Sequence, residues 1–215
     1  MTARSIFVGV DLSGPSNHAD TACAVFEEVN AQLVYVRHLT NLADADILHL
    51  LSGLRGSSLT VGLDAPLSYQ DGGGDRPSDR ALRQLLRQAG MPSGSVMTPT
   101  MTRMAYLTLR GIHLSRQIQD EHPESAITEV HPFGSLVLAG GPVESIREVK
   151  QRAEARAEVL SWLSEAGMQN LPGGDVSDHE LAAFGAAFGA WQWQRGKAAW
   201  QFEAELPHHP FAFVS

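Results

Sequence analysis

Residues 5–11 read SIFVGVD and residues 58–64 read SLTVGLD. Each is a short apolar run ended by an aspartate, Asp11 in the first and Asp64 in the second. A third run, SAITEVH over 125–131, carries Glu129 and His131 and is stopped by Pro132. Consecutive apolar residues mark a strand covered on both faces, the signature of an α/β sheet. A carboxylate at the end of such a strand points into the crevice where several strands finish. Carboxylates gathered there form a hard-oxygen site for Mg²⁺ or Mn²⁺, suited to phosphoryl chemistry.

Outward from these runs the pattern predicts three strands (5–12, 20–29 and 31–38), the last two joined by a tight turn at Asn30. A helix is expected over 43–54, then the strand at 58–64, which Pro66 stops. The loop holding Gly72, Gly73 and Gly74 is too glycine-rich for regular structure. Helices are expected over 78–89 and 101–119, a fifth strand over 125–131, one long helix over 143–166 and a last helix over 178–195. The last helix, with LAAFGAAFGAW at 181–191, has side chains small enough for close packing on a sheet. The tail, 199–205 and 210–215, reads as two edge strands or an extended arm. The expectation is one domain spanning 1–215, a mixed sheet with helices on both faces, and a helical insertion at about 70–122.

Hydrophobic residues make up 43% of the 215, enough for a sizeable core. Cys23 is the only cysteine, which excludes an intrachain disulfide and a cysteine-built zinc site. No apolar stretch approaches membrane-spanning length and no signal peptide is evident, so a cytoplasmic location is expected. The formal net charge of −8 argues against general binding of long nucleic acid. Residues 76–116 differ from the rest: seven arginines, one aspartate and no lysine give +6, against −14 elsewhere. Such a basic lobe suits a local anionic ligand, or is a solvated helix face.

Asp11 opens Asp-Leu-Ser-Gly, where Ser13 could present a hydroxyl to a phosphate; the same residues also make a turn. Glu129 and His131 share a strand face by period two. They read either as a ligand with a base or as a pair bracing the sheet. Asp178 opens the last helix, where Ser177-x-x-Glu180 forms a capping box. Asp178 therefore reads as a helix-dipole partner or as a further metal ligand, with Glu180 as its substitute. No nucleophile elbow, Walker loop or dinucleotide fingerprint is present.

In order along the chain stand Gly9-Val-Asp11-Leu-Ser-Gly14, Gly62-Leu-Asp64-Ala-Pro66, Arg76-Pro-Ser-Asp79-Arg80 and Glu129-Val-His-Pro132. Together they resemble the predicted nucleases catalogued as domain of unknown function family 429, of the ribonuclease-H-like superfamily. The resemblance covers about residues 5–195. It implies a mixed five-stranded sheet with the first three strands antiparallel and central acids binding divalent metal. Carried over by position, Asp11, Asp64 and Glu129 match the family's acids, and Arg76, Asp79 and Arg80 its polar segment. The last helix departs from the pattern: Leu181-Ala182-Ala183 stands where an acid is common, and Asp178 is the nearest carboxylate.

The resulting expectation is a phosphodiesterase with two Mg²⁺ or Mn²⁺ ions on Asp11, Asp64, Glu129 and Asp178. Arg76, Arg80, Arg103 and Arg110, with Ser13 and His131, would bind substrate. The substrate class is short or structured nucleic acid, RNA or DNA. The alternatives are a phosphate- or nucleotide-binding module without turnover and a small-molecule phosphotransferase.

Overall fold

A computed structural model describes residues 4–215. The two runs quoted first lie side by side. Strand β1 (Ser5–Asp11) pairs in parallel with β4 (Ser58–Asp64), and the register matches Ser5 with Ser58, Gly9 with Gly62 and Asp11 with Asp64. The remaining strands are β2 (Ala22–Val29), β3 (Gln32–Thr40), β5 (Ala126–Val130), β6 (Met168–Gln169), β7 (Gln201–Phe202) and β8 (Ala212–Val214). Their order across the sheet is β6-β3-β2-β1-β4-β5-β8-β7. β1, β2 and β3 form an antiparallel meander, while β4, β5 and β8 run parallel to β1.

The fold is α/β, with a mixed sheet as expected, but the sheet has eight strands among the described residues, not five. The tail supplies two of the extra strands: β8 pairs with β5, and β7 closes that edge. The two-residue β6 adds to β3 at the other edge and is too short to show a period.

Among the described residues seven α-helices accompany the sheet: α1 (Asp44–Ser52), α2 (Pro77–Gln88), α3 (Thr102–Glu121), α4 (Pro132–Leu138), α5 (Val143–Glu148), α6 (Ala153–Glu165) and α7 (Asp178–Gln194). The expected long helix over 143–166 is broken into α5 and α6, with a turn at 149–152, and α4 was not anticipated. Alternation along the strands divides the core. Ile6, Val8 and Val10 pack with Leu59, Val61 and Leu63 against Ile47 and Leu51 of α1 and Leu114 and Ile118 of α3. Phe7 and Phe26 face Phe184, Ala187 and Phe188 of α7 on the other side. Among the described residues no helix is long and apolar enough to cross a membrane.

Helix α7 is buried from Leu181 to Trp191 without interruption, as befits a helix enclosed all round. It rests directly on the glycines of β1 and β4. A Cβ on Gly9 would lie 2.0 Å from the Ala183 carbonyl oxygen and 2.3 Å from the Ala187 nitrogen. A Cβ on Gly62 would lie 2.5 Å from the Ala186 carbonyl oxygen. These neighbours are backbone atoms and cannot rotate away. Gly9→Ala or Gly62→Ala is therefore expected to cost about 3 kcal/mol or more in urea unfolding, at the upper end of overpacking penalties. Gly173→Ala, with open space around it, should change stability by less than about 0.5 kcal/mol.

Candidate functional site

The chain leaves β1 towards β2 and β3 on one side, and β4 and β5 lie on the other. The gap between the carboxyl ends of β1 and β4 is thus the point where strand order reverses, the usual crevice for ligands in open α/β sheets. Asp11 and Asp64 stand there as register partners. Both follow the paired glycines by two residues, so both leave the sheet on the face that α7 covers. The N-terminus of α7 adds Asp178 and His179 to the same cleft. Its first turn is fixed by a capping box: the Ser177 hydroxyl accepts from the Glu180 N–H at 3.1 Å, and Glu180 accepts from the Ser177 N–H at 2.8 Å.

The two carboxyl groups are near enough to perturb each other. Burial, then the Asp11 charge, pushes the Asp64 carboxyl well above its usual range. Burial also raises Asp11, opposed by His179, whose Nδ1–H donates to Asp11 Oδ2 at 2.7 Å. The hydrogen bond to Asp11 in turn raises the His179 imidazole against the effect of its own burial. The pair thus stands where two negative charges together are costly to hold.

Glu129 does not join it. In the β4–β5 ladder Glu129 lies beside Leu63, one residue out of step with Asp64. It therefore leaves the sheet on the opposite face. There Arg76 grips it bidentately, at 2.7 Å to Oε2 and 2.5 Å to Oε1, and the Leu67 N–H donates to Oε2 at 2.8 Å. Arg76 also binds Asp79, at 2.7 Å from Nη2, and stacks on the Phe213 ring at 5.3 Å. This buried Arg76–Asp79–Glu129 group ties the start of α2 to β5.

Other expected substrate contacts are engaged elsewhere. Arg110 donates to Asp44 at 2.7 Å, to the Ser13 carbonyl at 2.9 Å, to the Thr21 hydroxyl at 2.8 Å and to the Leu42 carbonyl at 3.1 Å. It staples α3 to the loops after β1 and β3. The Ser13 hydroxyl bonds Thr21 at 2.7 Å inside that turn. Arg80 donates to the Asp75 carbonyl and lines a separate groove with Arg83 and Arg87. Glu180 is held by Ser177 and by His38 at 2.6 Å. His131 lines the cleft as a fixed neutral ring: burial lowers its pKa, Nδ1 accepts from the Gly134 N–H at 2.9 Å, and Nε2 meets the Ser95 carbonyl at 2.8 Å. Arg103 is the one expected arginine that lines the cleft.

The cleft holds about 680 Å³. Lys150 and Arg147, which the sequence reading did not single out, stand at its wall with Arg103, and so do four methionines. Among the described residues no group of three or more His, Cys, Asp or Glu side chains is arranged to hold a metal ion. The donor chemistry at Asp11 and Asp64 nevertheless suits one small hard cation. Mg²⁺ commonly takes one or two carboxylates and completes its shell with water and substrate oxygens.

The family description "Protein of unknown function (DUF429)" matches residues 9–208, which include both strand-end aspartates and α7. The chain belongs to the DUF429 family. No curated protein and no solved structure matches it.

The two kinds of acid in this DUF429 chain are expected to answer oppositely to neutralisation. A carboxyl whose folded pKa lies above its unfolded value weakens the fold as pH rises past the unfolded value. Asp64→Asn should therefore raise stability at pH 7, and the gain should vanish below about pH 4. Glu129→Gln removes a partner of buried Arg76 and should lower stability by about 3 kcal/mol. Urea melts of both variants at pH 7 and pH 4 check the two signs.

Proposed function

We propose that this chain is a phosphodiester hydrolase of nuclease type, ribonuclease-H-like in descent, working with one Mg²⁺ or Mn²⁺ at Asp11 and Asp64. The observation that carries the reading is the in-register carboxylate pair at the switch point of the sheet, capped by α7. The meander β1–β3 with β4 and β5 parallel to β1, and acids ending β1 and β4, supports the superfamily assignment. The expected two-ion quartet is reduced, because Glu129 is occupied by Arg76 and Leu67.

When bound, the cation would supply a Lewis acid that polarises a phosphoryl oxygen and lowers the pKa of a water. The chain's own groups do the rest. His179 Nδ1–H fixes Asp11 Oδ2 and leaves the other oxygen free of that bond. Arg103, Arg147 and Lys150 offset the phosphate charge across the cleft. In the hydrolysis, water oxygen bonds to phosphorus and gives up a proton to solvent, the ester P–O bond breaks, and the departing oxygen takes a proton. His179 holds Asp11 through Nδ1 and keeps Nε2 for the substrate side, placed to furnish that proton.

A second reading, a nucleotide-binding module without turnover, draws on the capture of Glu129, which leaves fewer carboxylates than two ions need. The two readings separate in one experiment. Under the hydrolase reading about one Mn²⁺ binds per chain by calorimetry, and short labelled RNA or DNA oligonucleotides are cut. Asp11→Asn and Asp64→Asn should each slow cleavage roughly 100-fold or more, and Asp11→Asn should abolish Mn²⁺ binding. Glu129→Gln, assayed where it remains folded, should keep Mn²⁺ affinity within about threefold, since a residue off the metal is spared the larger losses. Binding of Mn²⁺ without cleavage across such a panel leaves the module reading.

A further inference from the structure

Four of the chain's six methionines line the cleft that holds Asp11 and Asp64. Met91 and Met97 come from the loop between α2 and α3, and Met101 and Met104 from the start of α3. That loop is pinned on three sides. The Val96 carbonyl accepts from Arg83 Nε at 3.0 Å, the Ser95 carbonyl meets His131, and the Thr98 hydroxyl donates to Asp75. Asp75 is itself held by Arg83, which lowers its pKa to about 2. The methionine wall is therefore preformed, while Met101 remains 40% exposed at the mouth.

Opposite charges are arranged around this wall. Asp11, Asp64 and Asp178 line the cleft together with Arg103, Arg147 and Lys150. Among the described residues neither Arg103 nor Lys150 has an ion-pair partner, and Arg147 has only exposed Glu144 at 3.3 Å. A ligand matching both features has a flat unsaturated ring and a phosphate. Thioethers pack well against aromatic faces and, being unbranched, adapt to rings of different size. The volume suits one or two nucleotide units. A duplex fits poorly: three cations cannot track a long phosphate backbone, and the chain is acidic overall.

We propose that the cleft binds a single nucleotide unit, its base on the methionine wall and its phosphate between the cations and the Asp11–Asp64 pair. This deepens the hydrolase reading and rests on it for the place of the phosphate. The unit comes either as a free nucleotide or as the end of a single strand. Adaptable thioethers make the site nearly indifferent to which base it holds.

The test uses protein labelled at its methionine methyl groups and watched by NMR in Mg²⁺ buffer. Adenosine 5′-monophosphate should move the methyls of Met91, Met97, Met101 and Met104 and leave Met168, fully buried in β6. Adenosine alone should move the same four, and ribose 5-phosphate should bind at least about tenfold more weakly than the nucleotide. Met97→Ala and Met101→Ala should weaken the nucleotide and spare ribose 5-phosphate. Lys150→Ala should weaken the nucleotide about tenfold and spare adenosine. A 5′-phosphorylated trinucleotide binding more tightly than the mononucleotide assigns the site to strand ends; the reverse order assigns it to free nucleotides. Ribose 5-phosphate binding as tightly as the nucleotide, still cleft methyls, or a blunt duplex binding tighter than both would overturn the proposal. Methyl shifts without any hydrolysis contradict the hydrolase reading alone. Hydrolysis that ignores the base and leaves the methyls unmoved contradicts this inference alone.

Discussion

The close approach of α7 to the two central strands is the constraint on which the rest depends. Two glycines in register, Gly9 and Gly62, remove the side chains that would otherwise stand between sheet and helix. The helix answers with alanines and glycines along 182–190. Direct contact of backbones sets both the height and the axial position of α7. With those fixed, its first turn comes to the ends of β1 and β4, and His179 reaches Asp11. A bulkier residue at either strand position would lift the helix and withdraw that turn from the cleft.

The same register explains the charge distribution. Parallel strands of near-identical pattern, SIFVGVD and SLTVGLD, place Asp11 and Asp64 together at the reversal of strand order. Two acids so placed repel, and their surroundings leave little water to screen them. The fold tolerates this unfavourable pair and stabilises the third acid by other means. Glu129, displaced by one residue, leaves the sheet on the other face and is neutralised by Arg76, although its charge still reaches Asp64. One carboxylate thus belongs to the architecture, while two are left under tension at the cleft floor. Such tension is expected where a cation or proton is to be held.

Much of this was legible in the sequence. The five strands β1 to β5 announced themselves by apolar runs with firm stops at Asn30, Pro66 and Pro132. The small-residue helix announced its close packing. The sheet's outer strands were less visible, because β6 and β7 have two residues each and β8 has three, below the length at which a period shows. The turn at 149–152 was hidden inside an otherwise helical pattern, and nothing in the structure explains why the chain breaks there. Glu129 was grouped with the other acids because all three end apolar runs. The one-residue offset that separates it is a property of strand pairing and not of any single strand. The arginines misled for a similar reason: helical spacing showed which of them share a face, but not that Arg110 is buried among carbonyls. The methionines carried a signal that was passed over, four within residues 91–104. His179 was obscured by the capping box beside it.

The central claim is that Asp11 and Asp64 together hold a divalent cation that Glu129 does not touch. Anomalous X-ray diffraction from crystals grown with Mn²⁺ tests it most directly. The account predicts one strong peak between the carboxylates of Asp11 and Asp64, with Arg76 still clasping Glu129. A peak on Glu129 with Arg76 displaced, or no peak between the two aspartates at saturating Mn²⁺, would contradict it.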